Sequence, residues 1–312
     1  MSVSRRDFLG AAALSAMAPT SFSATGMPMR TLGKTGAQVS ILGFGGGSRF
    51  VGYGEEKGPA ALRHALDLGI TYIDTCDDYG PNGESQLWIG KVLKERGRNG
   101  IWLASKISVR KYDDFMRALD TSLKRLQMDR VDLLHIHALM GAEDLAAIEA
   151  KDGAYAAAVK AKEQKMASHI GITCHAYPEV LAQALERHEF DCTQMALNAA
   201  LRGQVKGAQG SFETTALPVA LRKKMGITAM KIFAQDALAG QAPAEKLIHY
   251  TMSLPVASAV IGMPKVEHIE ANVAAAKAFH PMPADEKKRM SDELSAKNRL
   301  ALEHYFRDHI DA

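Results

Sequence analysis

The chain has 312 residues, 47% of them hydrophobic, 23% charged and 6% aromatic, with a formal net charge of +3. That apolar content excludes a disordered or fibrous chain, and so small a charge gives no electrostatic footprint for nucleic acid. Cys76, Cys174 and Cys192 are too scattered for a disulfide framework or a structural zinc site, so no metal is expected.

Taken in chain order, residues 1–26 read as an export signal and residues 27–312 as one folded unit. Arg5-Arg6 precede Phe8-Leu9, an uncharged Ala-rich run follows to Ala18, and small residues Ser21, Ser23 and Ala24 close the stretch. A basic start, a short apolar middle and a small-residue exit define a secretory signal, and the arginine pair resembles the twin-arginine class. This predicts export machinery as a partner and a periplasmic or otherwise exported location. The apolar run is shorter than the roughly 18 residues of a membrane span, and no later stretch reaches that length.

Arg30 to Ser40, centred on Lys34-Thr35-Gly36, predicts a small hairpin. Short apolar or β-branched runs then recur: Val39–Phe44, Ile70–Asp74, Ile101–Lys106, Val131–His137, His169–Thr173, Cys192–Leu197, Ile227–Lys231 and Ser258–Ile261. Helical stripes lie between them, such as Leu62, Ala65, Leu66 and Leu68, or Phe115, Leu119, Leu123 and Leu126. Glycines before strands, as in Leu68-Gly69-Ile70 and Met225-Gly226-Ile227, read as left-handed helix caps. Eight alternating units predict a closed (β/α)8 TIM barrel. An open doubly wound sheet is the alternative, but Gly43-Phe44-Gly45-Gly46-Gly47 lacks the G-x-G-x-x-G spacing. Two outer helices, Val266–Phe279 and Asp285–Tyr305, follow the last strand.

In such a barrel the C-terminal strand ends converge on one mouth. Asp74, Tyr79, Lys106 and His137 all fall at or just after strand ends. A carboxylate, a phenol, an amine and an imidazole together can tune a proton donor, since an adjacent ammonium favours the phenolate. Taken singly, Asp74 could cap a turn, Tyr79 could sit on a surface loop and Lys106 could simply extend from its strand. No nucleophile elbow, H-E-x-x-H or Walker loop is present, so proton transfer with an external reductant suits the set better than hydrolysis. His135 points to the same interior one layer deeper and reads as a core histidine with a satisfied hydrogen bond. Cys76 and Cys174 near the mouth read as packing residues.

The ordered pieces Arg30–Gly36, Leu42–Gly45, Ile73–Thr75 with Tyr79-Gly80, Ser105-Lys106, Ser122–Leu126, Val131–Leu134 with His137, Ile170–Thr173 and Ile269–Asn272 resemble the aldo/keto reductase family from Met29 to Phe279. The resemblance implies hydride transfer from a nicotinamide to a small-molecule carbonyl substrate (aldehyde, ketone or sugar). In it Tyr79 protonates the oxygen, Lys106 activates Tyr79, Asp74 anchors Lys106 and His137 orients the substrate. It also implies that Thr173 and Gln194 hold the carboxamide and that the backbone at Gly45 and Gly46 approaches the cofactor.

The chain departs from the family at several positions. Cys174 stands where an asparagine is usual, and Met230, before Lys231, where many members place a tyrosine under the nicotinamide ring. A thioether still packs against a ring. His268 replaces a frequent 2′-phosphate arginine, with Lys265 as a compensating point charge and Asn272 nearby. NADP is the expected cofactor, with NAD the alternative. Substrate choice is expected in loops 138–152 and 199–211. Export leaves a second function open, a cofactor-binding sensor or interaction barrel with little turnover, as channel-associated members of the family suggest.

Overall fold

A computed structural model describes residues 21–201 and 210–305. The Arg5-Arg6 pair and most of the 199–211 loop lie outside the described residues. Three short strands, β1 (Ser21–Phe22), β2 (Pro28–Thr31) and β3 (Gln38–Ser40), form an antiparallel sheet in that order. Ser21 pairs with Met29 and Phe22 with Pro28, so the folded body takes in residues 21–26, which the sequence assigned to the leader. A single 3-10 turn, Gly33–Thr35, closes the predicted hairpin.

Eight parallel strands close the barrel: β4 (Leu42–Gly45), β5 (Tyr72–Asp74), β6 (Trp102–Ile107), β7 (Val131–Ile136), β8 (Ala167–Cys174), β9 (Cys192–Ala196), β10 (Gly226–Met230) and β11 (Ser258–Ile261). β11 pairs back onto β4 through Val260 and Gly43, completing the ring. The predicted (β/α)8 TIM barrel with an N-terminal hairpin and C-terminal outer helices is the observed fold.

The eleven helices among the described residues are α1 (Ser48–Val51), α2 (Gly54–Asp67), α3 (Glu84–Arg96), α4 (Tyr112–Leu126), α5 (Ala142–Glu149), α6 (Ala154–Glu163), α7 (Pro178–Arg187), α8 (Ala216–Arg222), α9 (Ala244–Met252), α10 (Val266–Lys277) and α11 (Ala284–Tyr305). The stripes are what pack: α4 buries Phe115, Leu119, Leu123 and Leu126, and α2 buries Ala61, Leu62, Ala65 and Leu66. These faces join strand residues such as Ile73, Leu103, Leu134 and Ile172 in the layer between barrel and helices. A separate cluster fills the barrel interior, where Tyr72, Ala104, Leu133 and Cys192 meet Leu32 and Val39 of the hairpin segment. The hairpin therefore plugs the floor, and the cavity among the described residues opens at the opposite end of the barrel.

The structure corrects three local expectations. Val39–Phe44 is not one strand: Val39 and Ser40 close the floor sheet, and the barrel strand starts at Leu42. Of the two glycines read as caps, Gly69 is left-handed at φ 107°, whereas Gly226 opens β10 and Lys224 takes the left-handed position at φ 53°. Residues 138–152 are not all loop, because α5 occupies Ala142–Glu149. No helix among the described residues is long and apolar enough to cross a membrane.

Candidate active site

The strand register delivers the predicted quartet. Asp74 pairs with Ala104 at the end of β5, Lys106 pairs with His135 near the end of β6, and His137 follows β7 directly. Lys106 Nζ, buried with the other three, donates to Asp74 Oδ2 at 2.6 Å, to the Thr75 carbonyl at 3.1 Å and to the Tyr79 hydroxyl at 3.0 Å. Burial of a lysine is costly unless it is paired, and here the carboxylate and both oxygens compensate. The ammonium also lies 4.6 Å from the centre of the Tyr79 ring. His137 stands edge-on to Tyr79, ring centres 6.0 Å apart, and edge-on to His175 at 5.9 Å.

A cavity of about 270 Å³ opens from Asp74 and Tyr79 past Gln194 and Met230 to Lys231, with Gly45, Val260 and Gly262 also in its wall. Gln194 Nε2 donates to Asp74 Oδ1 at 3.3 Å, while its Oε1 is buried without a hydrogen-bond partner among the described residues. A buried acceptor in that state fits a ligand N–H, such as that of a nicotinamide carboxamide. Arg49 and Lys231 add cations to the cavity wall, and Arg49 is ion-paired to Asp236 there. An acceptor, a thioether and two cations along one wall suit an amide, a ring and phosphates in turn, so the residues fit a nicotinamide dinucleotide.

The other predicted positions fall nearby or apart. Thr173, paired in register with Gln194, is buried and its hydroxyl accepts the Ala138 N–H at 2.9 Å. Gly45 and Gly46 are small for reasons internal to the protein. A Cβ at Gly45 would stand 2.9 Å from the Gly262 nitrogen, and one at Gly46 would stand 2.6 Å from the Asp74 carbonyl oxygen. Lys265, His268 and Asn272 line one side of the start of α10, the first two exposed and Asn272 buried, but none is in the cavity wall. Sequence reasoning missed Arg49, Phe233 and Asp236, whose approach to the site is tertiary.

His135 is corrected outright: neither ring nitrogen has a hydrogen-bond partner among the described residues. Burial, then the charges of Lys106 and His137, hold it well below the usual imidazole range, so it is neutral. Burial likewise pushes the Cys174 thiol up to about 12 and the Cys76 thiol well above its ordinary value. Cys76 is nonetheless more than packing, since its Sγ lies 3.2 Å from His137 Nδ1.

A floor-plugged barrel with a buried Asp–Lys–Tyr set beside a histidine, opening into a cavity at the strand ends, defines an oxidoreductase-type site. The sequence profile of the Aldo/keto reductase family matches residues 42–243, and the chain belongs to that family. Its members are oxidoreductases that generally use NAD(P)H to act on carbonyl compounds, and this protein is an enzyme of that class. The match ends before Lys265, His268 and Asn272. Among curated relatives, L-galactose dehydrogenase of Arabidopsis thaliana is 28% identical over 304 residues, covering 84% of this chain and 92% of that protein. The aldo-keto reductase yakc [NADP(+)] of Schizosaccharomyces pombe is 37% identical over 131 residues, 37% of this chain and 38% of that one. The barrel superposes on the holo form of aldo-keto reductase AKR11C1 from Bacillus halodurans with a TM-score of 0.69 at 24% identity, covering 85% and 96% of the two chains. A Pseudomonas aeruginosa structure assigned to the aldo-keto reductases gives 0.63 at 27% identity over 80% and 94%.

Proposed function

We propose that the protein is an NADP(H)-dependent carbonyl reductase in which Tyr79 is the general acid. The observation that carries this reading is the Lys106 ammonium held 2.6 Å from Asp74 and 3.0 Å from the Tyr79 oxygen. The cofactor, when bound, supplies a hydride to the carbonyl carbon. Tyr79 donates its proton to the carbonyl oxygen, and the ammonium stabilises the phenolate left behind in a site screened from water. Asp74 fixes that ammonium, and His137 orients the substrate oxygen. Gln194 and Thr173 would hold the carboxamide, Met230 would pack on the ring, and Arg49 and Lys231 would face the phosphates. Lys265 and His268, with Asn272 beside them, would receive the adenosine end, where an added 2′-phosphate would meet the Lys265 ammonium and the His268 ring.

Similarity to L-galactose dehydrogenase over most of the chain favours a sugar among carbonyl substrates. Asp78, exposed, and Ser108 and Asp77, half-buried, lie near His137 and suit a hydroxylated ligand. Residues ahead of Ser21 carry the twin-arginine-type signal in this reading, and the enzyme is exported folded to the periplasm. Replacing Arg5 and Arg6 by lysine is expected to retain the protein in the cytoplasm, checked by cell fractionation.

The test of the catalytic assignment is Tyr79→Phe. Turnover of aldehyde, ketone and sugar substrates is expected to fall by about 10²–10⁴, with NADPH binding, followed by fluorescence titration, retained. Wild-type turnover in the variant would remove Tyr79 as the acid. A wild-type protein that binds NADPH but turns over no carbonyl would instead favour the interaction-barrel alternative.

A further inference from the structure

Three donors of different chemistry meet at His137. Cys76 Sγ is 3.2 Å from its Nδ1, Asp78 Oδ2 is 3.8 Å from the same atom, and the three donor atoms all lie within 4.8 Å of one another. Two of them come from the turn after β5 and the third from the end of β7, two strands round the barrel, so no sequence spacing announces them.

We propose that Cys76, Asp78 and His137 bind one thiophilic divalent cation, Zn²⁺ being the natural fit, and that its binding suppresses carbonyl reduction by locking the His137 ring through Nδ1 and adding positive charge beside it. The second half rests on the role given to His137 above; the site itself does not. Around a tetrahedral zinc with sulfur at about 2.3 Å and nitrogen at about 2.0 Å, the two donors stand about 3.5 Å apart. The Cys76–His137 pair is already within a few tenths of an ångström of that spacing. A mixed sulfur, nitrogen and oxygen set selects zinc or cobalt over magnesium or calcium.

The surroundings agree. Ser108 Oγ is 2.7 Å from Asp78 Oδ2, 3.1 Å from His137 Nδ1 and 3.7 Å from Cys76 Sγ, placing a hydroxyl where a metal-bound water needs a partner. Asp77 Oδ1, 3.4 Å from the sulfur, adds negative charge. The nearby Lys106 ammonium is balanced by Asp74 at 2.6 Å and opposes the cation weakly. Cys76 and His137 are buried, but the Asp78 side chain is 41% exposed and gives the ion its entry. On binding, the Cys76 S–H bond breaks, its proton leaves to solvent, and the thiolate pair forms the metal–sulfur bond; no electrons are exchanged.

The full chain titrated with Co²⁺ should take up one ion and show thiolate-to-cobalt charge-transfer absorption. That band should vanish in Cys76→Ala and persist in Cys174→Ala. Asp78→Asn, at an exposed position that leaves the fold intact, should weaken binding by about tenfold or more. Zn²⁺ should displace the cobalt and suppress NADPH-dependent carbonyl reduction, while Cys76→Ala keeps its own zinc-free rate in the presence of zinc. No uptake, or a cobalt–thiolate band that survives Cys76→Ala, overturns the site. Uptake with undiminished reduction overturns the link to His137, and the cobalt spectrum judges the site even for a protein without turnover.

Discussion

His135 occupies the barrel interior beneath the Asp74–Lys106–Tyr79 cluster, beside Lys106 in the strand register and against Gly171 on β8. A Cβ at Gly171 would stand 2.5 Å from His135 Nδ1, so the glycine is what admits the imidazole. Held neutral by burial and by Lys106 and His137, the ring places no second cation beside the lysine that hydrogen-bonds Tyr79. Two consequences differ in sign. Gly171→Ala overpacks the interior and should cost about 1–3 kcal/mol in denaturant unfolding. His135→Leu removes a polar group that has no hydrogen-bond partner, so its stability should stay within about 1 kcal/mol of wild type or exceed it. A larger loss in His135→Leu would mean that the ring nitrogens are satisfied after all.

At the scale of elements, the segment before α8 meets α9 and α11 through one carboxyl. Tyr250 on α9 donates to Glu213 Oε1 at 2.9 Å, and Lys287 on α11 exerts an opposing attraction. Burial nevertheless raises the Glu213 carboxyl to about 7. A raised acid favours the protonated fold, so its stabilising contribution is complete below about pH 4.5 and is lost as pH rises through 7. Wild-type melting temperature should therefore decline across that window by more than Glu213→Gln, whose helix junction carries no ionisable carboxyl. Parallel pH profiles for the two proteins would exclude Glu213 as the cause.

The elements were readable where a barrel strand is an apolar run and where a helix carries a periodic stripe, as α2 and α4 do. Asp74, Lys106 and His137 were readable because a barrel sends strand ends to one mouth. Val39–Phe44 misled because an apolar run does not show where hydrogen-bond partners change: Ser40 pairs with Met29 below, whereas Leu42 pairs with Ala259 in the barrel. The Arg49–Asp236 pair and the Cys76–His137 contact arise from segments distant in sequence meeting beyond the strand ends, which periodicity does not encode.

The molecule as a whole separates packing from the candidate site along the barrel axis, with a plugged floor and an open, polar mouth. Arg30 shows how firmly the floor is tied. It is fully buried, donates to the Val256 carbonyl at 2.7 Å and the Met252 carbonyl at 2.9 Å, and lies 5.2 Å from the centre of the Phe279 ring. Burial lowers its guanidinium to about 10, which leaves it charged at neutral pH, so both bonds are charge-assisted. The hairpin is thus pinned to the α9–β11 connection and to Phe279, two residues past the end of α10. Arg30→Ala leaves two carbonyls unpaired in a dry setting and should cost about 2–4 kcal/mol of unfolding free energy. None of these contacts reaches the cavity wall, so affinity of the folded variant for a nicotinamide cofactor should match wild type below its melting temperature. A weakened cofactor site in a fully folded Arg30→Ala would show instead that floor and mouth are mechanically coupled through the strands.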